Sequence, residues 1–365
     1  MQNLMSRGEF IALIAMMFAT IAFSIDAMLP ALPEIGAELS PTEMNRAQLI
    51  LTSFVLGMGL GTFFTGPLSD TFGRKPVIYA GSAIYICAAA VAWASSSLEL
   101  VLAARVFQGI GAAAPRIVGV AIMRDLFSGR EMARMMSLAM MIFTIFPAFA
   151  PLIGAGIIAI VGWRGIFLAF ILFSAISTLW LGLRQPETLT PENHRPFRPV
   201  MLKDGIVEVL SNKQVVKVIA ALSMAFVVLF LTISVSQQIF EQFFDRAEEF
   251  PYWFGAIAFC SMGGSMLNAH VVMRMGMRQV IALTFAAETA LTAFFVLALT
   301  TSILGDTAIF VFYLIWLLSL FLLAGLTIGN LNAMGMEPLG HLAGLGASIM
   351  SSVATVAAVV IAIPI

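Results

Sequence analysis

The sequence predicts an all-α polytopic membrane protein, on the strength of its composition and its regular series of apolar runs. Sixty percent of the residues are hydrophobic, 11% are charged, and the mean hydropathy is +0.99. A soluble protein carries about 25% charged residues, so this composition excludes a soluble globular domain. The net charge of −1 gives no indication of a nucleic-acid partner.

Membrane helices need about 20 mostly apolar residues, and the chain offers eleven candidate spans. They lie at residues 10–30, 49–67, 76–94, 98–120, 135–161, 166–183, 216–240, 252–272, 280–299, 308–328 and 342–365. With the N-terminus placed in the cytoplasm, the inner segments hold 14 of the 19 Lys and Arg residues. Because cytoplasmic loops of membrane proteins are enriched in Lys and Arg, this distribution predicts that the N-terminus is inside.

A proline-rich, mixed-charge segment at residues 184–212 interrupts the series of spans. It predicts a cytoplasmic linker between an N-terminal six-helix bundle at 1–183 and a C-terminal bundle at 213–365, with room for a short helix over 200–210. Residues 274–281, RMGMRQVI, match residues 71–78, TFGRKPVI, at an offset of 203. Two repeats of that length need more than the 365 residues present, so a twelfth span is expected beyond residue 365.

The loop after the second span reads GPLSDTFGRKPVI over residues 66–78. It resembles the helix 2–3 loop signature of the major facilitator superfamily, G-x-L-[AS]-D-x-x-G-R-[KR]-x-x-[IV], at every fixed position. The resemblance implies a fold of two six-helix bundles and a conformational latch formed by Gly66, Asp70, Gly73, Arg74 and Lys75. Asp70 would pair with the start of the eleventh span near Gly340–His341 and with Arg74, or it is simply a solubilising loop charge.

Four further strings resemble the bicyclomycin-resistance type of drug:proton antiporter within that superfamily. They are DAMLPALP at 26–33, RDLF at 124–127, APLIG at 150–154 and GWRGIF at 162–167. The resemblance implies a helix kink at Pro151 and Gly154, although the antiporter pattern G-P-x-x-G-G is only partly met, with Ala150 before the proline.

Asp26 and Arg105 are charged residues inside spans, where a charge costs at least about 2.5–3.5 kcal/mol. Asp26 lies in the outer half of the first span and suits proton carriage, unless it is solvated among the lipid headgroups. Residues 105–109, RVFQG, resemble the superfamily motif R-x-x-Q-G. Arg105 lies at a depth similar to that of Asp26, so we expect either a proton-sensitive ion pair between them or an arginine bonded to carbonyls that fixes the helix packing.

Other polar residues in the spans are candidates for a substrate cavity. Arg116 follows Arg105 by three helical turns on the same face and either contacts an anionic substrate or extends to the cytoplasmic surface. The neutral hydrogen-bonding candidates are Gln108, Gln237, Gln238 and Asn330. Three further candidates are Glu288 in the middle of the ninth span, and Glu337 and His341, four residues apart before the eleventh. Their structural alternatives, which the pattern favours, are a packing or lipid-facing glutamate for Glu288 and a helix cap for Glu337 and His341.

These features predict a proton-coupled secondary transporter that exports drugs or small amphipathic compounds by alternating access. The alternatives are a transporter of one small anionic or zwitterionic metabolite and a non-transporting membrane subunit of the same fold. The sequence contains no G-x-x-x-x-G-K-[ST] loop and no hydrolytic or metal-binding constellation, so we expect neither an ATP-driven pump nor an enzyme. We expect a monomer in a bacterial cytoplasmic membrane, with no cofactor and with the proton gradient as its energy source.

Overall fold

The computed structural model describes residues 5–190, 192, 194, 199–301 and 304–362, with the side chains of a few of these, including that of His341, outside the description. In this part of the chain the regular structure is entirely helical. The α-helices are α1 (Arg7–Asp26), α2 (Leu32–Leu39), α3 (Leu49–Phe72), α4 (Arg74–Ala94), α5 (Leu98–Leu126), α6 (Gly129–Val161), α7 (Arg164–Arg184), α8 (Pro199–Ser211), α9 (Lys213–Gln238), α10 (Phe250–Met275), α11 (Met277–Thr301), α12 (Asp306–Met336) and α13 (Ala343–Ala362). The predicted all-α fold is confirmed.

Ten helical segments of the described chain are long and apolar enough to cross a membrane. Each contains one of the first ten predicted spans, and the eleventh prediction coincides with α13, whose apolar part, Leu345–Ile361, is shorter. Several helices extend beyond the apolar runs. For example, α5 continues to Leu126, past the predicted end at residue 120. Backbone hydrogen bonds continue a helix into the polar region, so hydropathy marks the bilayer crossing and not the helix end.

The chain divides into two compact units, Met1–Ile206 and Val207–Ile365. The helix α8 occupies most of the second half of the predicted linker, where a short helix was expected. The bundle limits predicted at residues 183 and 213 stay predictions.

The backbone supports the internal repeat of 203 residues. Gly73 separates α3 from α4 with φ +100°, and Gly276 separates α10 from α11 with φ +79°. Both angles lie in the left-handed region that only glycine adopts without strain. The two matching strings therefore encode the same turn between consecutive membrane helices, once in each unit.

Within the first unit, α5 packs against both α3 and α4. Glycines allow the close approach: a Cβ at Gly109 would overlap the Phe54 carbonyl of α3, and a Cβ at Gly111 would overlap the Gly81 carbonyl of α4. Small residues at helix contacts permit such packing in membranes, where van der Waals contact is a main source of helix association. The arrangement fixes α5, which carries Arg105 and Gln108, between its neighbours.

We expect Gly109→Ala to lower the free energy of unfolding by about 1–3 kcal/mol, because the added methyl group forces α3 and α5 apart. Gly156→Ala in α6 is the matched control, since a Cβ there meets nothing within 4 Å. The free energy of unfolding of that control should be unchanged or slightly higher, because alanine is a better helix former than glycine. The measurement is the midpoint of thermal unfolding in detergent, and equal midpoints for the two variants would contradict the packing account.

Candidate functional site

Arg105 is fully buried in α5 and has three hydrogen-bond acceptors around its guanidinium. They are the Ile50 carbonyl at 3.2 Å from Nε, Gln108 Oε1 at 2.8 Å from Nη1 and the Ser24 carbonyl at 2.8 Å from Nη2. Two of these acceptors belong to other helices, since Ser24 lies in α1 and Ile50 in α3. The cation therefore joins three helices through carbonyl oxygens.

Two aromatic rings complete the surroundings of Arg105. The guanidinium carbon lies 4.4 Å from the centre of the Phe54 ring and 5.8 Å from that of Phe170 in α7. Aromatic faces attract cations most strongly where water is excluded. Among the described residues Arg105 forms no salt bridge, so carbonyl dipoles and ring faces take the place of a counter-ion.

Ser24 and Tyr85 form a second buried contact next to Arg105. Ser24 Oγ donates to the Thr20 carbonyl at 2.6 Å and lies 2.6 Å from the Tyr85 hydroxyl. A serine hydroxyl has one proton, which is used toward Thr20, so Tyr85 of α4 must be the donor to Ser24. The amide nitrogen of Gln108 is buried nearby without a partner among the described residues.

The Asp26 carboxyl lies two residues beyond Ser24 in α1. Asp26 is the last residue of α1, its side chain is only 5% exposed, and it has no hydrogen-bond or ion-pair partner in the part of the chain that the structure describes. The expected ion pair with Arg105 is wrong for this structure, because Arg105 donates to the Ser24 carbonyl two residues away. The alternative expectation, an arginine held by carbonyls, matches the geometry, and the exposed headgroup position considered for Asp26 does not.

Arg116 differs from Arg105 although the two residues share one face of α5. Its side chain is exposed, and no hydrogen bond or salt bridge is formed by it among the described residues. Arg105 is instead enclosed by α1, α3 and α7. The face of α5 that carries both arginines is therefore buried at Arg105 and accessible at Arg116, three helical turns later.

In the second unit, the predicted cavity residues have different surroundings. Asn330 of α12 donates to Asn268 Oδ1 of α10 at 2.7 Å and to the Leu326 carbonyl at 2.8 Å. Gln238 donates to Gln242 at 3.1 Å, whereas the Oε1 atom of the buried Gln237 has no partner among the described residues. Their assignment to a substrate cavity stays a prediction.

The lower-ranked candidates are placed as follows. Glu288 is buried in α11. Glu337 is exposed and begins a 3₁₀ turn, Glu337–Leu342, before α13. The side chain of His341 lies outside the described ones, so the contacts expected for His341 with Glu337 and with Asp70 stay predictions.

The predicted kink residues of α6 lie within one continuous helix, Gly129–Val161, that includes Pro147 and Pro151. A Cβ at Gly154 would overlap the Ala27 carbonyl, directly after Asp26. Gly154 thus lets α6 approach the end of α1. Its role as a kink stays a prediction.

At the turn between α3 and α4, Arg74 is the centre of an ion-pair cluster. The Arg74 side chain is 3% exposed and donates to Asp70 Oδ1 at 2.6 Å, Ser69 Oγ at 2.8 Å and Asp125 Oδ2 at 2.9 Å. The expected pairing of Asp70 with Arg74 is confirmed. Asp125, at the end of α5, is a partner that the loop motif does not include.

Glu187, which follows α7, was missed by the sequence reasoning. Its carboxylate accepts the backbone N–H groups of Arg74 at 3.0 Å and Lys75 at 2.9 Å, which are the first two residues of α4. A carboxylate at a helix N-terminus satisfies free N–H groups and complements the helix dipole. Glu187 is 113 residues from Arg74 in sequence, so no local pattern could have indicated this cap.

The pKa of Glu187 reflects these contacts. Partial burial of the carboxylate opposes ionisation, but hydrogen bonds from the backbone N–H groups of Leu189, Lys75, Arg74 and Thr188 outweigh it and hold the pKa below its ordinary value. The Thr188 hydroxyl also donates to Asp125 Oδ2 at 2.9 Å. The segment after α7 therefore bonds to the first residues of α4 through Glu187 and to Asp125 of α5 through Thr188.

Comparison with protein families identifies the chain. The model of the Major Facilitator Superfamily matches residues 12–362. The chain belongs to the major facilitator superfamily. This membership places it among multi-pass membrane transporters and not among enzymes.

Relatives within the superfamily include proteins named for drug resistance. The chain is 29% identical over 267 residues to a bicyclomycin resistance protein homolog from Haemophilus influenzae, covering 73% of this chain and 67% of the relative. It is 30% identical over 187 residues to multidrug resistance protein D from Escherichia coli, covering 50% of this chain and 47% of that protein. The second alignment thus spans about half of the relative's length.

A solved structure supports the major facilitator fold. The crystal structure of a D-xylose-proton symporter superposes with a TM-score of 0.71 at 12% identity, covering 97% of this chain and 88% of the symporter. At that identity the likeness establishes the fold alone.

We expect Arg105→Lys to destabilise this transporter although the charge is kept. A lysine ammonium is a point charge that cannot reach acceptors spread around a planar guanidinium, and each acceptor left unpaired costs about 1–3 kcal/mol. The exposed Arg116→Lys on the same helix is the matched control. Thermal unfolding in detergent is the measurement, and an Arg105→Lys midpoint equal to that of the control would overturn the assigned contacts.

We expect Glu187→Gln to lower the free energy of unfolding at neutral pH by about 0.5–2 kcal/mol, toward the lower value because water still screens this only partly buried carboxylate. The native pKa of Glu187 is depressed, so its stabilisation is complete above the unfolded pKa of about 4.3 and is lost as the pH falls through the lower native value. The difference in unfolding midpoint between wild type and variant should therefore shrink in acid. Glu192→Gln, in the same segment, is the control, and a pH-independent difference would refute the capping role.

Proposed function

We propose that this chain is a proton-coupled secondary transporter that exports drugs or small amphipathic compounds by alternating access. The observation that carries the proposal is Asp26, a buried carboxyl with no partner among the described residues. It lies in a superfamily member whose relatives are named for drug resistance. An ionised carboxylate in such surroundings is costly. Asp26 is therefore the group best placed to bind a proton on one side of the membrane and release it on the other.

The surroundings of Asp26 support this role. Its immediate neighbourhood on α1 is fixed by Arg105 and Tyr85, which bond to Ser24 and not to the carboxyl. Gaining or losing a proton at Asp26 then breaks none of these bonds directly. Gain or loss of this proton instead changes the affinity for the substrate and the packing of the helix ends beside Asp26.

The remaining aspects of the proposal follow from charge and composition. The excess of Lys and Arg in the inner segments supports an N-terminus in the cytoplasm, and the bacterial relatives support a location in the cytoplasmic membrane. We propose that the protein acts as a monomer and needs no cofactor beyond the proton gradient.

A second candidate function is transport of one small anionic metabolite. The exposed side chain of Arg116 favours it, because an accessible cation within a membrane span attracts anions. The two candidates differ in what binds: the first requires broad recognition of drugs, and the second requires one anion whose binding depends on Arg116.

The test is uptake of bicyclomycin and of a panel of amphipathic drugs by proteoliposomes with an acidic interior. Asp26→Asn should abolish uptake driven by the pH gradient while leaving substrate exchange and the thermal unfolding midpoint unchanged, because only the proton site is lost. Asp306→Asn, which removes an exposed carboxylate at the start of α12, is the matched control and should transport normally.

Gradient-driven uptake by Asp26→Asn equal to that of the wild type would remove Asp26 from the mechanism. A wild type that moves none of the drugs, but responds to one anion in an Arg116-dependent way, would replace the export proposal with the second candidate.

A further inference from the structure

Glu288 lies near the middle of a membrane helix and faces protein. It is 11 residues after the start of α11 and 13 before its end, or roughly 16 Å and 20 Å at 1.5 Å per residue. The buried residues of α11 are Val280, Glu288, Phe295 and Ala298, which form one stripe, and Glu288 is 9% exposed. A carboxyl therefore occupies a position in an otherwise apolar helix contact, at the depth of the hydrocarbon core.

The partners of Glu288 are neutral side chains. The Thr292 hydroxyl donates to Glu288 Oε1 at 3.4 Å, and the Trp316 indole N–H of α12 donates to the same hydroxyl at 2.9 Å. The Trp316 ring stacks on Phe295 at 5.5 Å between centres. This aromatic contact packs the indole donor of α12 against α11.

The Ser319 hydroxyl of α12 donates to the Trp316 carbonyl at 2.7 Å. Its one proton is therefore used within α12 and is not offered to an ionised carboxylate.

No cation compensates an ionised Glu288 in this part of the chain. The described helices that pack against α11 are α10 and α12. The titratable and charged side chains of the three helices, besides Glu288, are Tyr252, Cys260, His270 and Arg274 on α10, Arg278 on α11, and Asp306 and Tyr313 on α12. The nearest cation in sequence is Arg278, ten residues or about 15 Å along the helix, and Arg274 lies in the last turn of α10.

We propose that Glu288 is a second proton-binding site of this protein, occupied by a proton at neutral pH and separate from Asp26. Glu288 belongs to the second unit, whereas Asp26 belongs to the first. Thr292 donates to one oxygen of the carboxyl, and the Trp316 indole N–H holds the Thr292 hydroxyl in place. The site does not depend on the proposed transport activity.

Infrared spectroscopy of the purified protein in lipid bilayers tests the proposal. The difference between wild type and Glu288→Gln at neutral pH should contain the C=O stretching band of a protonated carboxylic acid, and this band should be lost on titration to alkaline pH. Glu248→Gln, an exposed carboxylate, should yield no such band.

A second measurement needs no variant. A hydrophobic carbodiimide adds to a protonated membrane carboxyl to form an O-acylisourea, which rearranges to a stable N-acylurea with no atom lost. Peptide mass spectrometry should find this adduct on Glu288 of the wild-type protein at neutral pH. A carboxylate band in place of the acid band, or an unmodified Glu288 peptide under conditions that label Asp26, would overturn the proposal.

Discussion

The coordination of one buried guanidinium by carbonyl oxygens is the constraint on which the first unit depends. Arg105 bonds the Ser24 carbonyl of α1 and the Ile50 carbonyl of α3, and it contacts the Phe170 ring of α7. A buried charge costs several kcal/mol unless it is compensated, so these helices are held together by the need to surround the cation. Because no carboxylate takes part, the arrangement does not depend on the protonation of Asp26.

A second fixed point lies at the other end of α5. Asp125 pairs with Arg74, and Glu187 caps the helix that Arg74 begins. Twenty residues separate Arg105 from Asp125, or about 30 Å along the helix. The helices of the first unit are thus joined at two levels along α5. Between these levels the glycines of α5 pack closely against α3 and α4. Asp26 lies two residues after Ser24 and contributes to neither fixed point, so the proton exchange proposed for its carboxyl would leave both intact.

The fold could be predicted from the sequence because its determinants are local. Apolar runs of membrane-spanning length mark the helices, and the repeated glycines at positions 73 and 276 mark equivalent turns. The partners within the site depend on the tertiary arrangement. The positions of Arg105 and Asp26 inside apolar spans mark both residues as candidates. Those positions do not reveal that Arg105 donates to the Ser24 carbonyl and not to the Asp26 carboxylate. Glu187 could not be found, since its cap joins residues far apart in the chain.

The central claim is that Asp26 carries the exchanged proton independently of Arg105. The most direct test counts the protons released when a transported drug binds to the purified protein in weakly buffered solution. The account predicts that the wild type releases a proton that Asp26→Asn does not, at equal drug occupancy. Equal release from both proteins would contradict it, because the proton would then come from another group.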